Sequence, residues 1–306
     1  MKRVTQHGFT MVELLIALVI FSIVIAQAFA MFGVQHVTQA KTGRALEIQQ
    51  DVRLVSDAVM FDVRQAGFLV PRVAGIASRD GGAGGPDALC VSDSSVLAEA
   101  EVTAALNHFD RAGISAVAAG ATAVTIAAGH LDIDNDGNDD FSVGAGIIIS
   151  DGVNSHCARV GPAIAGNSVQ FTPAAPVAIA ATGRAVPAAI WQIAAGTNNL
   201  TRNGLQLSSQ IEDLQVEFGV DDDGDGQFTA DEFPIDSLNE NSPFNSDPSE
   251  IRQVRVSVVA RTDAQDDDVL GGGPPAVANH TGGAVGTADG FRRRLITTSV
   301  LPRNLL

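Results

Sequence analysis

The twelve residues from Asp221 to Glu232, DDDGDGQFTADE, carry the clearest chemistry in the chain. Counted from Asp221, carboxylates fall at positions 1, 3 and 5 (Asp221, Asp223, Asp225), and position 6 is Gly226. Gln227 offers a backbone carbonyl at 7, Thr229 a hydroxyl at 9 and Glu232 a carboxylate at 12. This is the spacing with which an EF-hand loop wraps hard oxygen ligands round one cation, so it predicts a Ca²⁺ site. An acidic surface turn, the plainer reading, has no use for the twelve-position spacing or its glycine. Leu214, Val216 and Phe218 alternate like a strand just before the loop, which predicts a loop without the EF-hand helix pair: a structural clamp, since a sensor's opening motion needs the helices.

A second run, Asp132, Asp134, Asp136, Asn138 and Asp140, repeats the first half of the pattern, but Val143 stands where the twelfth-position acid belongs. It reads either as a second cation site, with Asp139 or Asp140 substituting, or as a solvated turn. Catalysis finds no support. The six histidines are scattered, no GxSxG, HExxH or phosphate-loop motif occurs, and His156 beside Cys157 carries no sign of activation. The expectation is a non-enzyme.

Acidic residues outnumber basic ones 35 to 19, for a formal charge of −16, which disfavours phosphate backbones as partners and predicts no nucleic acid. That acidity is local: residues 132–140, 221–232 and 266–268 hold 14 of the 35 acids, and the remainder has ordinary apolar content. Ion sites and a solvated loop fit this better than a disordered acidic chain.

The N-terminus sets where all this is displayed. After the basic MKRVTQHG, residues Leu14 to Val34 run without a charge, long enough as a helix to cross a bilayer. Lys2 and Arg3 ahead of the span place the N-terminus in the cytoplasm and the bulk of the chain outside. In an exported protein the only two cysteines, Cys90 and Cys157, are expected to be bonded to each other. A secretory signal peptide accounts for the small residues around Phe29 but not for Glu13, and a plain anchor has no use for that carboxylate either.

Gly8, Phe9, Thr10, Met11, Val12, Glu13 and the apolar run that follows resemble the class III signal of type IV prepilins and pseudopilins. The resemblance implies that a membrane prepilin peptidase cuts between Gly8 and Phe9, methylates the amine of Phe9 and leaves the helix in place. It also implies that Glu13 pairs with the N-terminal amine of a neighbouring subunit, which fixes register because a mis-set pair leaves a buried charge uncompensated. Phe61 to Phe68 (FDVRQAGF), the Leu200 to Asn203 run, the strand leading into the Asp221 loop and the terminal Thr297 to Asn304 are similar to landmarks of PilW-type minor pilins.

The elements that must position these groups follow from periodicity. Ala45, Ile48, Val52, Val55, Val59, Val63 and Ala66 form one apolar stripe, with Gly67 as a natural stop. Short β-rich runs follow at residues 89–91, 123–127, 146–150, 168–172, 190–193, 214–219, 254–260 and 295–300, with a possible helix over 96–106 and Gly-rich surface loops at 80–86 and 271–290. The expected class is α+β: a cleaved leader (1–8), a long N-terminal helix (9–66) whose apolar half is membrane-embedded, and a β-rich exported domain (67–306) with an antiparallel sheet against the helix.

The resemblance implies a structural minor pilin that helps initiate pilus assembly at or near the filament tip. Its implied partners are other major and minor pilins, the prepilin peptidase, the inner-membrane assembly platform and, before assembly, membrane lipid. Its implied location is the inner membrane with a periplasmic domain, then the extracellular pilus. Two alternatives use the same scaffold: a minor pseudopilin of a type II secretion system, and a calcium-dependent adhesin.

Overall fold

The computed structural model describes residues 10–68, 70–81, 85–93, 95, 113–133, 137–221, 223–229, 232–233, 250–266, 277 and 289–305. Gly8, Phe9, the expected helix over 96–106, Asp134 and Asp136 lie outside the described residues. The chain divides into two compact units, Met1–Glu47 and Ile48–Leu306, and one helix, α1 (Met11–Gln65), starts in the first and ends in the second.

In the first unit α1 is long and apolar enough to cross a membrane. Leu14, Leu15, Ile16, Leu18, Ile20 and Phe21 are each more than half exposed. Its hydroxyls are satisfied within the helix: Ser22 donates to the Val19 carbonyl (2.7 Å) and Thr38 to that of Val34 (2.9 Å). Glu13 is the sole Asp, Glu, Lys or Arg from Thr10 to Ala40.

In the second unit α1 is amphipathic, with Ile48, Val52, Val55, Val59 and Val63 buried and Arg53, Asp57 and Arg64 exposed. It stops at Gly67, whose φ is +78° and whose N–H donates to Ser92 Oγ (2.9 Å). A Cβ at that position would lie 2.6 Å from Leu305 Cδ2 and 3.2 Å from the Asn304 carbonyl oxygen. Glycine is required there twice, by the left-handed backbone and by the close approach of the C-terminal segment.

Every strand pairing among the described residues of the second unit is antiparallel. The larger sheet comprises β1 (Ile76–Arg79), β2 (Ala88–Ser92), β3 (Ala123–Thr125), β4 (Gly146–Ser150), β5 (Ser155–Ala165), β6 (Ser168–Thr172), β7 (Arg184–Ile193), β8 (Leu200–Arg202) and β9 (Leu205–Ser208). Its order is β1-β2-β7-β4-β5-β6-β3, with β8 added to β7 and β9 to β8. A second sheet, β10-β11-β12, is formed by Ile211–Gly219, Gln253–Arg261 and Arg293–Val300. The fold is α+β, as the periodicity predicts.

Strands β2 and β5 are three places apart in the order, roughly 14 Å in a flat sheet. Yet Cys90 on β2 and Cys157 on β5 are joined, with Cα atoms 5.5 Å apart. The larger sheet therefore rolls over, and the bond spans its interior among Ile148, Val186 and Ile190. Tying residues 67 apart in sequence restricts the unfolded chain by about 4 kcal/mol. Alternation along β2 builds a shared wall: Ala88 and Cys90 face this interior, whereas Leu89 and Val91 join a second core. That second core takes the buried face of α1, Trp191, and Leu214, Val216, Phe218, Val254, Val256 and Val258 of the smaller sheet.

Asp87, 1% exposed, stitches the two sheets. Its N–H donates to the Leu214 carbonyl (2.7 Å), and its carboxylate accepts from the N–H groups of Val216 (2.8 Å) and Gly81 (3.1 Å). The other face of β10 is polar and buried too: Gln215 donates to Asp213 (2.8 Å), and Arg255 grips Glu217 through two bonds of 2.7 and 2.6 Å.

Four strands are missing from the sequence expectation, and a fifth is longer than expected. Periodicity misses β1, β5, β8 and β9. In β5, Gly161 and Pro162 read as breakers, but the register shift between Val160 and Ile164 absorbs them as a bulge. Strand β7 starts at Arg184, earlier than expected, because Pro187 lies just past the β2 ladder, whose last pair is Ser92 with Ala188.

Candidate functional site

The Asp221 loop leaves the end of β10 and closes on itself: the Val220 N–H donates to the Glu232 carbonyl at 2.9 Å. Within it, Asp221 accepts from the N–H groups of Gly224 (2.8 Å) and Gly226 (3.1 Å), Asp223 from Asp225 (3.0 Å), and Asp225 from Gln227 (2.6 Å). Gly224 and Gly226 hold φ of +73° and +74°, which lets the backbone curl at this pitch. The curl brings one carboxylate oxygen each from Asp221, Asp223 and Asp225 within 4.8 Å of one another.

Glu232, the twelfth position, stands outside that group of three but is buried, at 6% exposure. Its Oε2 accepts from the Thr229 N–H (2.6 Å) and hydroxyl (3.0 Å), whereas Oε1 is buried with no hydrogen-bond partner among the described residues. A buried carboxylate oxygen without a partner is costly, and a cation relieves it. The loop is braced by Phe228 and Phe233, whose ring centroids are 6.0 Å apart, and by the Arg255 guanidinium 3.8 Å over Phe233. Both rings crowd Gly219, where a Cβ would meet them at 3.1 and 3.0 Å.

The second acidic loop is used differently. Asp132 accepts from the Gly137 N–H (2.8 Å), and Asp140, buried at 6%, accepts from the Ile133 N–H (2.5 Å). Asp140 thus spends an oxygen holding the loop's own backbone, and Asn138 is exposed.

Two constellations escaped sequence reasoning. At the start of α1, Glu13 Oε2 accepts from the Thr10 N–H and hydroxyl (2.9 Å each), and the Glu13 N–H donates to Thr10 Oγ1 (3.3 Å). This is a capping box, whose T-x-x-E signature was present in the sequence. At the other end of the helix, Asp62 accepts from Trp191 Nε1 (2.8 Å) and from Arg202 Nε (2.7 Å) and Nη2 (3.3 Å). The Asp62 carboxylate raises the Arg202 guanidinium further above its usual range. Nearby, Ser208 donates to Asp51 (2.7 Å), Ser56 and Thr298 share a hydrogen bond (3.0 Å), and Asn304 Nδ2 donates to the Gln65 carbonyl (3.4 Å). The FDVRQAGF, Leu200 to Asn203 and C-terminal landmarks, far apart in sequence, therefore meet round the last turns of α1.

Comparison with known families agrees with this geometry at both ends. Residues 3–26 match the prokaryotic N-terminal methylation motif, which with the apolar helix fits membrane anchoring and pilus assembly. Residues 178–304 match Type IV Pilus-assembly protein W, and neither match reaches residues 27–177. Together they support a type IV pilus-associated minor pilin of the PilW type. No curated protein and no solved structure matches the chain.

Proposed function

We propose that the protein is a structural, non-enzymatic minor pilin that helps initiate type IV pilus assembly at or near the filament tip. The observation that carries this reading is α1 itself. Its large apolar side chains from Met11 to Val37 are exposed, and from Ile48 onward one face is buried in a domain carrying the assembly-protein match. An apolar helix surface of that length is served by lipid before assembly and by the helices of other pilins afterwards. In this reading the prepilin peptidase cuts between Gly8 and Phe9 and methylates Phe9, the assembly platform receives the chain, and the domain after the helix faces the periplasm.

The exported domain is stabilised by Ca²⁺ at the Asp221 loop. Asp221, Asp223 and Asp225 would hold the ion with the Gln227 carbonyl and Glu232, and the orphaned Glu232 Oε1 is the atom that favours a cation there. The bound ion would offset repulsion between converging carboxylates.

Deleting the gene tests the reading. Surface filaments should become few or absent while the remaining pilins accumulate in the membrane, and the wild-type gene should restore them. Filaments of normal number and length in the deletion strain would contradict an initiating role.

A further inference from the structure

Within the second unit, Asp51, Ala58 and Asp62 make one row along α1, spaced seven and four residues apart. The β8–β9 hairpin is fastened to both ends of that row: Ser208 donates to Asp51 (2.7 Å) and Arg202 Nε to Asp62 (2.7 Å). Three residues beyond Asp51 and Ala58 come Leu54 and Phe61, the next row outward, on the side of the helix opposite Val52, Val59 and Val63 of its buried face. In the hairpin Leu205 pairs with Arg202 in register, so it stands on the side from which Arg202 reaches α1. Leu54, Phe61 and Leu205 are 60% to 70% exposed. Buried rows hold the domain together; an exposed one does not, and marks a surface that something else covers.

The charges beside this row are free as well. Arg53, Asp57 and Arg64 are exposed and make no ion pair among the described residues. Arg202, Arg255, Arg261, Arg292 and Arg293 of the same unit are all paired within the chain.

We propose that this outer face of α1, rimmed by the β8–β9 hairpin at Leu205, is a docking surface for the outer half of a neighbouring pilin's long helix. Seven residues separate Leu54 from Phe61, which sets one above the other along the axis as a seam that a helix lying alongside can follow. The free charges add an order, since a complementary partner presents acid, base and acid to Arg53, Asp57 and Arg64. The proposal rests on the reading that helices of other pilins cover the first stretch of α1 after assembly, and it adds the surface on which such a neighbour continues beyond the membrane.

The experiment places the photo-crosslinker benzoylphenylalanine at position 61 of the full chain and, as a control, at position 153, where Val153 is an exposed apolar residue on the turn between β4 and β5. Cells are irradiated, filaments are sheared off, and the joined peptides are sequenced by mass spectrometry. Position 61 should join to the long helix of a different pilin, beyond that helix's apolar first half, and position 153 should not. In parallel, Leu54→Asp and Phe61→Asp should each lower the copies in filaments about tenfold, the loss expected of one interface anchor. Both should leave the melting temperature within about 1 °C of the wild type, as for other exposed positions, and Val153→Asp should incorporate normally.

Cross-links from position 61 only to a β-domain, to a second copy of this chain or to a protein that is not a pilin would overturn the proposal. Normal filament copies of Leu54→Asp and Phe61→Asp would overturn it too. Wild-type protein missing from filaments would overturn the reading beneath it and the docking surface with it, a result that the variants do not imitate.

Discussion

From Met11 to Val37, α1 leaves its apolar side chains exposed, whereas from Ile48 to Val63 an equally apolar row is buried and polar groups beside it are engaged within the chain. In the first stretch the one acidic side chain, Glu13, is bonded to Thr10, the residue that starts the helix. In the second, Asp51 takes Ser208, Ser56 meets Thr298, and Asp62 takes Trp191 and Arg202. The second stretch carries more charge, and what covers the apolar residues differs as well: those of the first are exposed, whereas those of the second pack into a core of the domain.

The largest expected effect breaks the comparison at its sharpest point. Glu13→Ala should nearly abolish incorporation into filaments and shift the melting temperature of the exported domain by no more than about 1 °C, as for other substitutions remote from a core. A destabilised domain, or normal filaments, would blur the distinction between the two stretches.

Calcium sharpens it from the other side, because the ion acts on the self-contained unit. In full-length protein in micelles, Ca²⁺ at a hundredfold excess over its dissociation constant should raise the melting temperature by about 5 °C. Chelation should reverse the gain and Asp223→Ala should abolish it. Equal melting in calcium and in chelator, with no heat of binding, would return the loop to an acidic turn; a response surviving in Asp223→Ala would point to the loop at Asp132.

The smallest effect is a pH slope confined to the same unit. Burial, helped by the nearby positive charge of Arg79, holds His156 down at about 4 against the opposing pull of the Pro173 carbonyl, which its ring nitrogen meets at 3.1 Å. Its pKa when folded lies below the unfolded value near 6.5, so the unfolded chain binds the extra proton. The stability from a neutral His156 is complete above about pH 6.5 and lost as pH falls toward 4, with a slope of up to about 1.4 kcal/mol per pH unit. His156→Gln should flatten that slope in urea unfolding series between pH 4 and 6.5.

Much of this was legible in the sequence because it is local. The stripe from Ile48 to Ala66 and its stop at Gly67 needed only helical spacing, and the loop at Asp221 needed only a count of ligands. The capping box is equally local, a T-x-x-E spacing masked by Glu13's reading as a lone charge in an apolar run. What no local pattern carried was convergence. Asp62 and Arg202 are 140 residues apart, and the rolling of the larger sheet shows in the meeting of β1 and β2 with β5. Strand β5 was hidden because Gly161 and Pro162 punctuate it, and β8 and β9 because Asn203 and Gly204 turn after only three residues of strand.

The measurement that bears most directly on assembly by the first stretch of α1 is mass spectrometry of the N-terminal peptide from protein recovered in sheared filaments. The expected result is a substoichiometric chain beginning at Phe9 with a methylated amine, the cation proposed to pair with Glu13. A chain beginning at Met31, or absence from filaments altogether, would contradict it.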